Sequence, residues 1–168
     1  MKTPKLVLGI LFAATIAVST SHAIAANAPK PVNAKKFDTL ATAALETMKQ
    51  KAAELNIQGV AVVSFAPGDT IEGWTSKMAV VGHMTDTKAS EKGNNLLGIA
   101  YAKSAEMAST LQNSGTAKRP PMTGEFGWQG GTILRISSGY IVVAFSGGKS
   151  EDDLQVSKAG LEVMKNGL

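Results

Sequence analysis

The spacing of apolar residues changes several times along the chain, and each change predicts a different element. Between 34 and 55, apolar side chains recur every three or four residues, which is typical of an amphipathic helix. The same spacing returns at 95–111 and at 150–165, so two further helices are predicted there. Short apolar runs beside glycine- or proline-containing turns indicate strands in four stretches, 60–66, 70–83, 132–136 and 140–145.

The run at 140–145 is predicted to lie in the middle of the sheet. Both of its alternating sets of side chains are apolar: Ile141, Val143 and Phe145 on one face, and Tyr140, Val142 and Ala144 on the other. A strand with two apolar faces is covered on both sides. The turn Ser137-Ser138-Gly139 joins it to 132–136 as a hairpin.

The elements follow the order α-β-β-α-β-β-α, and strands joined by hairpins are antiparallel. We therefore expect an α/β protein of the α+β type, in which an antiparallel sheet of four to five strands is flanked by helices in one domain, 34–168. The fifth strand, if it forms, is expected within 120–128.

The N-terminal residues have the three-part pattern of a secretory signal peptide. Two lysines in the first five residues precede an uncharged run at 6–18, and a segment of small residues follows it. The run is shorter than the roughly 20 residues that a membrane span needs. We expect a signal peptide at 1–25, a flexible lead-in at 26–33, and a periplasmic or secreted protein with no membrane span after cleavage.

Charge and cysteine content narrow the function. The predicted leader carries two lysines and no acid, so its removal lowers the formal net charge from +4 to +2. Such a small excess of positive charge gives no reason to expect a nucleic-acid partner. The chain has no cysteine, which excludes thiol nucleophiles, thiolate metal sites and covalent haem attachment through a C-x-x-C-H motif.

Catalytic motifs are scarce. His83 is the one histidine that follows the predicted leader, and no G-x-S-x-G, P-loop or G-x-G-x-x-G pattern occurs. The segment Ser146-Gly147-Gly148 precedes a helix, which could favour an anion. However, Glu151, Asp152 and Asp153 already occupy the first turn, and Ser150 with Asp153 resembles a helix cap, so the structural interpretation is favoured.

Four residues remain as candidates for binding a cofactor. Imidazole is a common ligand of haem iron, so His83 is a candidate iron ligand. Haem iron is the only metal for which we consider it. The alternative is that His83 is an ordinary surface histidine. Its neighbour Met84 points to the opposite face of a regular strand and cannot easily bind the same iron. Phe126 and Trp128 could cover a flat apolar ligand or pack in the core, and core packing is favoured. Arg119, beside Lys118, could pair with a propionate or lie in a solvated turn.

From about Phe37 to its C-terminus, the chain resembles the GlcG/HbpS-like family, small domains often described as haem-degrading or haem-binding. The resemblance is carried by the Ser-Gly turn at 138–139 and by four stretches, Gly130-Gly131-Thr-Ile-Leu-Arg-Ile, Val142-Val143-Ala144-Phe145-Ser146-Gly147-Gly148, Ser150-Glu151-Asp152-Asp153 and Val156…Ala159-Gly160-Leu161. The segment Ala100-Tyr101-Ala102-Lys103-Ser104-Ala105 is similar to that family's central helix. The chain departs from the family pattern at Ala144-Phe145 and at 82–88.

The resemblance implies an antiparallel sheet flanked by helices, a homo-oligomer and, for some members, exported haem binding. The expected function is therefore an exported haem- or tetrapyrrole-binding module with haem as cofactor. Two alternatives stay open: a non-catalytic oligomeric domain that binds a partner, and an accessory enzyme acting on a small organic molecule. The family name alone suggests haem degradation, and no catalytic residues are identified.

Overall fold

The computed structural model describes residues 32–88 and 91–167. The expected signal peptide, and all of the lead-in except its last two residues, lie outside the described residues. Three helices and six strands follow in chain order: α1 Ala34–Glu54, β1 Gly59–Pro67, β2 Thr75–Val81, β3 Thr85–Asp86, β4 Asn94–Asn95, α2 Leu96–Thr110, β5 Gly131–Ile136, β6 Gly139–Ser146 and α3 Ser150–Gly167.

The main sheet contains four antiparallel strands in the order β2-β1-β6-β5. Strands β1 and β6 are the middle pair, and they run side by side from Val60 opposite Ser146 to Pro67 opposite Gly139. Nearly every residue of both strands is buried. This confirms that the strand with two apolar faces lies in the middle of the sheet, because it needs cover on both sides.

Helices cover both faces of the sheet. The first face packs against α1 and α3, and its core includes Phe65, Val143 and Phe145. The second face packs against α2, through Val60 and Val62 of β1 and through Val142 and Ala144 of β6. The protein is therefore an α+β domain with the sheet between two helical layers, as the hydrophobic pattern predicted.

The prediction of a fifth strand within 120–128 is wrong. That segment forms turns, with the Glu125 amide bonded to the Met122 carbonyl at 2.9 Å. Pro120 and Pro121 cannot donate to a strand ladder, which explains why the segment does not join the sheet. A small two-stranded sheet, β3 with β4, forms instead just before α2. Within the described ranges, no helix is both long and apolar enough to cross a membrane.

His83 and the Ser146-Gly147-Gly148 segment lie at the same end of the main sheet. Here β1 begins, β6 ends, and the chain leaves β2 towards His83. Gly147 allows a close approach at this end, because a Cβ at that position would clash with the carbonyl oxygen of Gln58. We call this end the site end of the sheet.

Candidate functional site

His83 lies just beyond β2, after Gly82 turns the chain with a φ of +79°. The imidazole is exposed, and its Nδ1 lies 2.7 Å from Oε1 of Gln58. An amide oxygen only accepts hydrogen bonds, so this contact suits the neutral tautomer with the proton on Nδ1, in which Nε2 is the nitrogen left for a ligand. A ring held at one nitrogen and open at the other is the arrangement of a metal-ligating histidine.

Phe126 and Trp128 lie on the surface of the long connection between α2 and β5. Their rings contact each other, with centroids 4.8 Å apart and planes tilted by 33°. The side chains are 45% and 46% exposed, so the interpretation that packed them in the core is wrong. The physical reason is that α2 already covers this face of the sheet, and the connection passes outside it. An exposed aromatic pair of this kind offers an apolar surface to a flat ligand or to another chain.

Arg119 is engaged within the same connection. Its guanidinium binds the Glu125 carboxylate through two hydrogen bonds of 2.6 and 2.7 Å, and it also donates to the Pro120 carbonyl at 3.0 Å. The arginine lowers the pKa of Glu125 to about 2, helped by the Met122 amide. Arg119 therefore closes a loop rather than projecting freely, and a ligand anion would have to compete with Glu125. Lys118 is exposed.

The sequence interpretation missed a buried ion pair beneath these residues. Lys103 of α2 and Asp153 of α3 are 2% and 3% exposed, and Nζ lies 2.7 Å from Oδ2. Lys103 also donates to the Phe145 carbonyl at 2.8 Å, and Asp153 Oδ1 accepts the Gly148 amide at 2.8 Å. Asp153 does bond backbone near the start of the helix, as the cap interpretation proposed, but it also neutralises a buried lysine.

A signal for this pair was present in the sequence. Lys103 falls on the apolar stripe of α2, three residues after Ala100 and four before Met107, at a position where a side chain must be buried. Burial lowers the pKa of Lys103 and raises the pKa of Asp153, and in each case the attraction of the partner acts in the opposite direction.

Two concave regions lie beside these residues. A cavity of about 160 Å³ has Lys103 and Asp153 in its wall, with Asp86, Asn94, Trp128 and Ser146 among its other lining residues. A more open groove of about 410 Å³ shares Asn94 with the cavity and is bordered by Phe126. Small-molecule pockets usually measure roughly 300–1,000 Å³, so the groove, unlike the cavity, is of a size for a large ligand.

The geometry brings some of the predicted site residues together. Trp128 borders the cavity and Phe126 borders the groove. His83 borders neither the cavity nor the groove. Arg119 borders a separate small cavity of about 80 Å³ together with Glu125.

No protein-family model and no curated protein matches the sequence. Among solved structures, the chain is similar to the crystal structure of a PduOC:heme complex, with a TM-score of 0.50. The two sequences are 16% identical, and the match covers 79% of this chain and 94% of the other. At that identity the likeness shows a shared fold.

Proposed function

We propose that this protein binds haem or a related tetrapyrrole and that His83 is the protein ligand to the iron. The observation that carries the proposal is the exposed imidazole, whose Nδ1 lies 2.7 Å from Oε1 of Gln58, so that Nε2 is the nitrogen that would meet the iron. The PduOC protein, which has the same fold, was crystallised as a complex with heme, and this supports the choice of ligand. The iron would supply a Lewis-acid centre for the imidazole nitrogen.

The aromatic pair and the groove provide the rest of the proposed site. Phe126 and Trp128 would cover apolar macrocycle surface, since both rings are exposed and in contact. The groove adds Ile99 and Ala102 as further apolar wall. Lys118 is the more available partner for a propionate, because Arg119 already binds Glu125.

A homo-oligomer fits this site. A flat ligand on an open groove would keep one face exposed, and a second copy of the chain could cover it. Together with the signal peptide expected at 1–25, the proposed role is an exported module, periplasmic or secreted, that sequesters haem.

The test is a hemin titration of the purified protein, of His83→Ala and of Asp69→Ala. The last variant is the matched control, since Asp69 is exposed at the opposite end of the sheet. We expect a saturable change in the Soret band for the protein and for Asp69→Ala, and a changed and weaker band for His83→Ala. No change with the unaltered protein would overturn haem binding, and identical titrations for all three would overturn the role of His83.

A further inference from the structure

The buried ion pair of Lys103 and Asp153 has no role in the proposed haem site. Both charges are removed from water, and burying an ion pair often stabilises a fold no better than a well-packed apolar pair would. The ammonium of Lys103 has three N–H groups, and Phe145 and Asp153 accept two of them within the described part of the chain. Gly130 packs so closely that a Cβ there would clash with Nζ, so the amine is held against the backbone.

Lys103 and Asp153 form part of the wall of the 160 Å³ cavity, so a small molecule there would meet both groups. Leu96 and Ile99 give the cavity an apolar side, and Asn94, Ser146 and Ser150 give it polar groups. A volume of this size admits a molecule of a few heavy atoms and excludes a macrocycle.

The charges around the cavity select against anions. Lys103 and Asp153 neutralise each other, while Asp86 lines the wall and Glu106 also lies near enough to act on the lysine. Of the described charged side chains that line the cavity, Asp86 is the one outside the Lys103–Asp153 pair, so a small carboxylate would meet a like charge there and uncharged carbonyl compounds are the better fit.

We infer that this cavity is a site for a small uncharged aldehyde or ketone, which Lys103 captures as an imine with Asp153 carrying the protons. Buried lysines are suited to this chemistry because low polarity favours the neutral amine, which is the nucleophile. The cavity shares Trp128 and Ile99 with the proposed haem site, but neither His83 nor Gln58 borders it, so the two proposals can be tested separately.

Protons and atoms balance through the Lys103–Asp153 contact. The ammonium gives a proton to Asp153, and the freed lone pair of Nζ forms a bond to the carbonyl carbon. Asp153 returns that proton to the carbonyl oxygen and accepts a second one from nitrogen, which yields a neutral carbinolamine. Protonation of its hydroxyl by Asp153 then releases water as the C=N bond forms. Overall, ammonium and carbonyl give a protonated imine and one water, without oxidation or reduction.

The competing interpretation is structural: the pair merely ties α2 to the start of α3. The two interpretations predict different reactivities for the Lys103 amine. A lysine shielded in a structural pair is labelled less than exposed lysines, whereas a nucleophile at a cavity is labelled more.

The experiment treats the purified protein with dihydroxyacetone, an uncharged ketone, and sodium borohydride, which reduces an imine to a stable amine. Peptide mass spectrometry then compares Lys103 with Lys118 and Lys158, two exposed lysines of the same chain. We expect the fraction of label at Lys103 to exceed that at either exposed lysine. Less label at Lys103 than at the exposed lysines would overturn the inference.

Three further arms sharpen the result. Pyruvate, an anionic ketone of similar size, should label Lys103 less than dihydroxyacetone does, and equal labelling would contradict the charge selection.

Asp153→Asn should slow the labelling of Lys103 by about 100-fold, as loss of a general acid–base group does. If circular dichroism shows that this variant is unfolded, the unaltered protein still decides the question. His83→Ala should keep the labelling, which separates this site from the haem proposal.

Discussion

The two ends of strand β6 each have an ion pair nearby, and the pairs differ in almost every respect. At the site end, Lys103 and Asp153 have side chains that are 3% and 4% exposed and have hydrogen bonds to backbone groups. At the other end, Arg135 pairs with Asp69 while 42% and 93% of those side chains remain exposed. Arg135 also lies over the Tyr140 ring, 4.7 Å from its centroid.

The difference shows how burial changes what a charge can do. An exposed pair is solvated with or without its partner, so it adds little to stability. A buried pair depends on its partner and on the surrounding hydrogen bonds, and its chemistry is changed by the loss of water. The charges at the site end are therefore buried and depend on each other, whereas those at the opposite end are solvated.

The largest expected effect is that of Asp153→Ala. The change leaves the Lys103 ammonium buried without its counter-ion, and breaking one side of a buried pair typically costs about 3–5 kcal/mol. Urea unfolding, monitored by circular dichroism, measures the loss in free energy of unfolding. A matched double variant, Lys103→Met with Asp153→Leu, removes both charges and should recover most of it. A single variant as stable as the unaltered protein would show that the pair is not buried as described.

A smaller effect is expected from the loop pair, Arg119 with Glu125. Because the folded pKa of Glu125, about 2, lies below its ordinary value of 4.5, the pair stabilises the fold fully above that ordinary value. The contribution is lost as the pH falls from 4.5 through about 2. We expect the urea midpoint to fall over this interval, and the fall to be shallower in Glu125→Gln. Parallel pH profiles for the two proteins would contradict this account of the loop.

The smallest effect is expected from Asp69→Ala at the opposite end. Both side chains of that pair are largely solvated, so unfolding should be nearly unchanged from the unaltered protein. The same urea titration measures it. A loss as large as that of Asp153→Ala would remove the contrast between the two ends.

Local pattern was enough to predict the sheet and its layers. The two apolar faces of 140–145 placed β6 in the middle of the sheet, and the three- and four-residue spacing located all three helices. These features depend on which side chains avoid water, and that information is present in each short segment of the sequence.

The site could be predicted less well, because it depends on contacts between distant segments. Lys103 and Asp153 are 50 residues apart, and only the packing of α2 and α3 against the sheet brings them together. The sequence explained Asp153 as part of a helix cap, and nothing local indicated that it also pairs with Lys103. Phe126 and Trp128 are apolar, and apolar character alone cannot distinguish a core residue from an exposed binding surface.

The most direct test of the central claim, that His83 binds haem iron, is chemical rescue of His83→Gly. The variant removes the imidazole and leaves space at its position, so free imidazole added to the hemin-loaded variant can occupy the ligand position. The absorption spectrum is the measurement. We expect the Soret band to differ in His83→Gly and to return towards the unaltered form as imidazole is added. A spectrum of His83→Gly that equals the unaltered one before imidazole is added would contradict the claim.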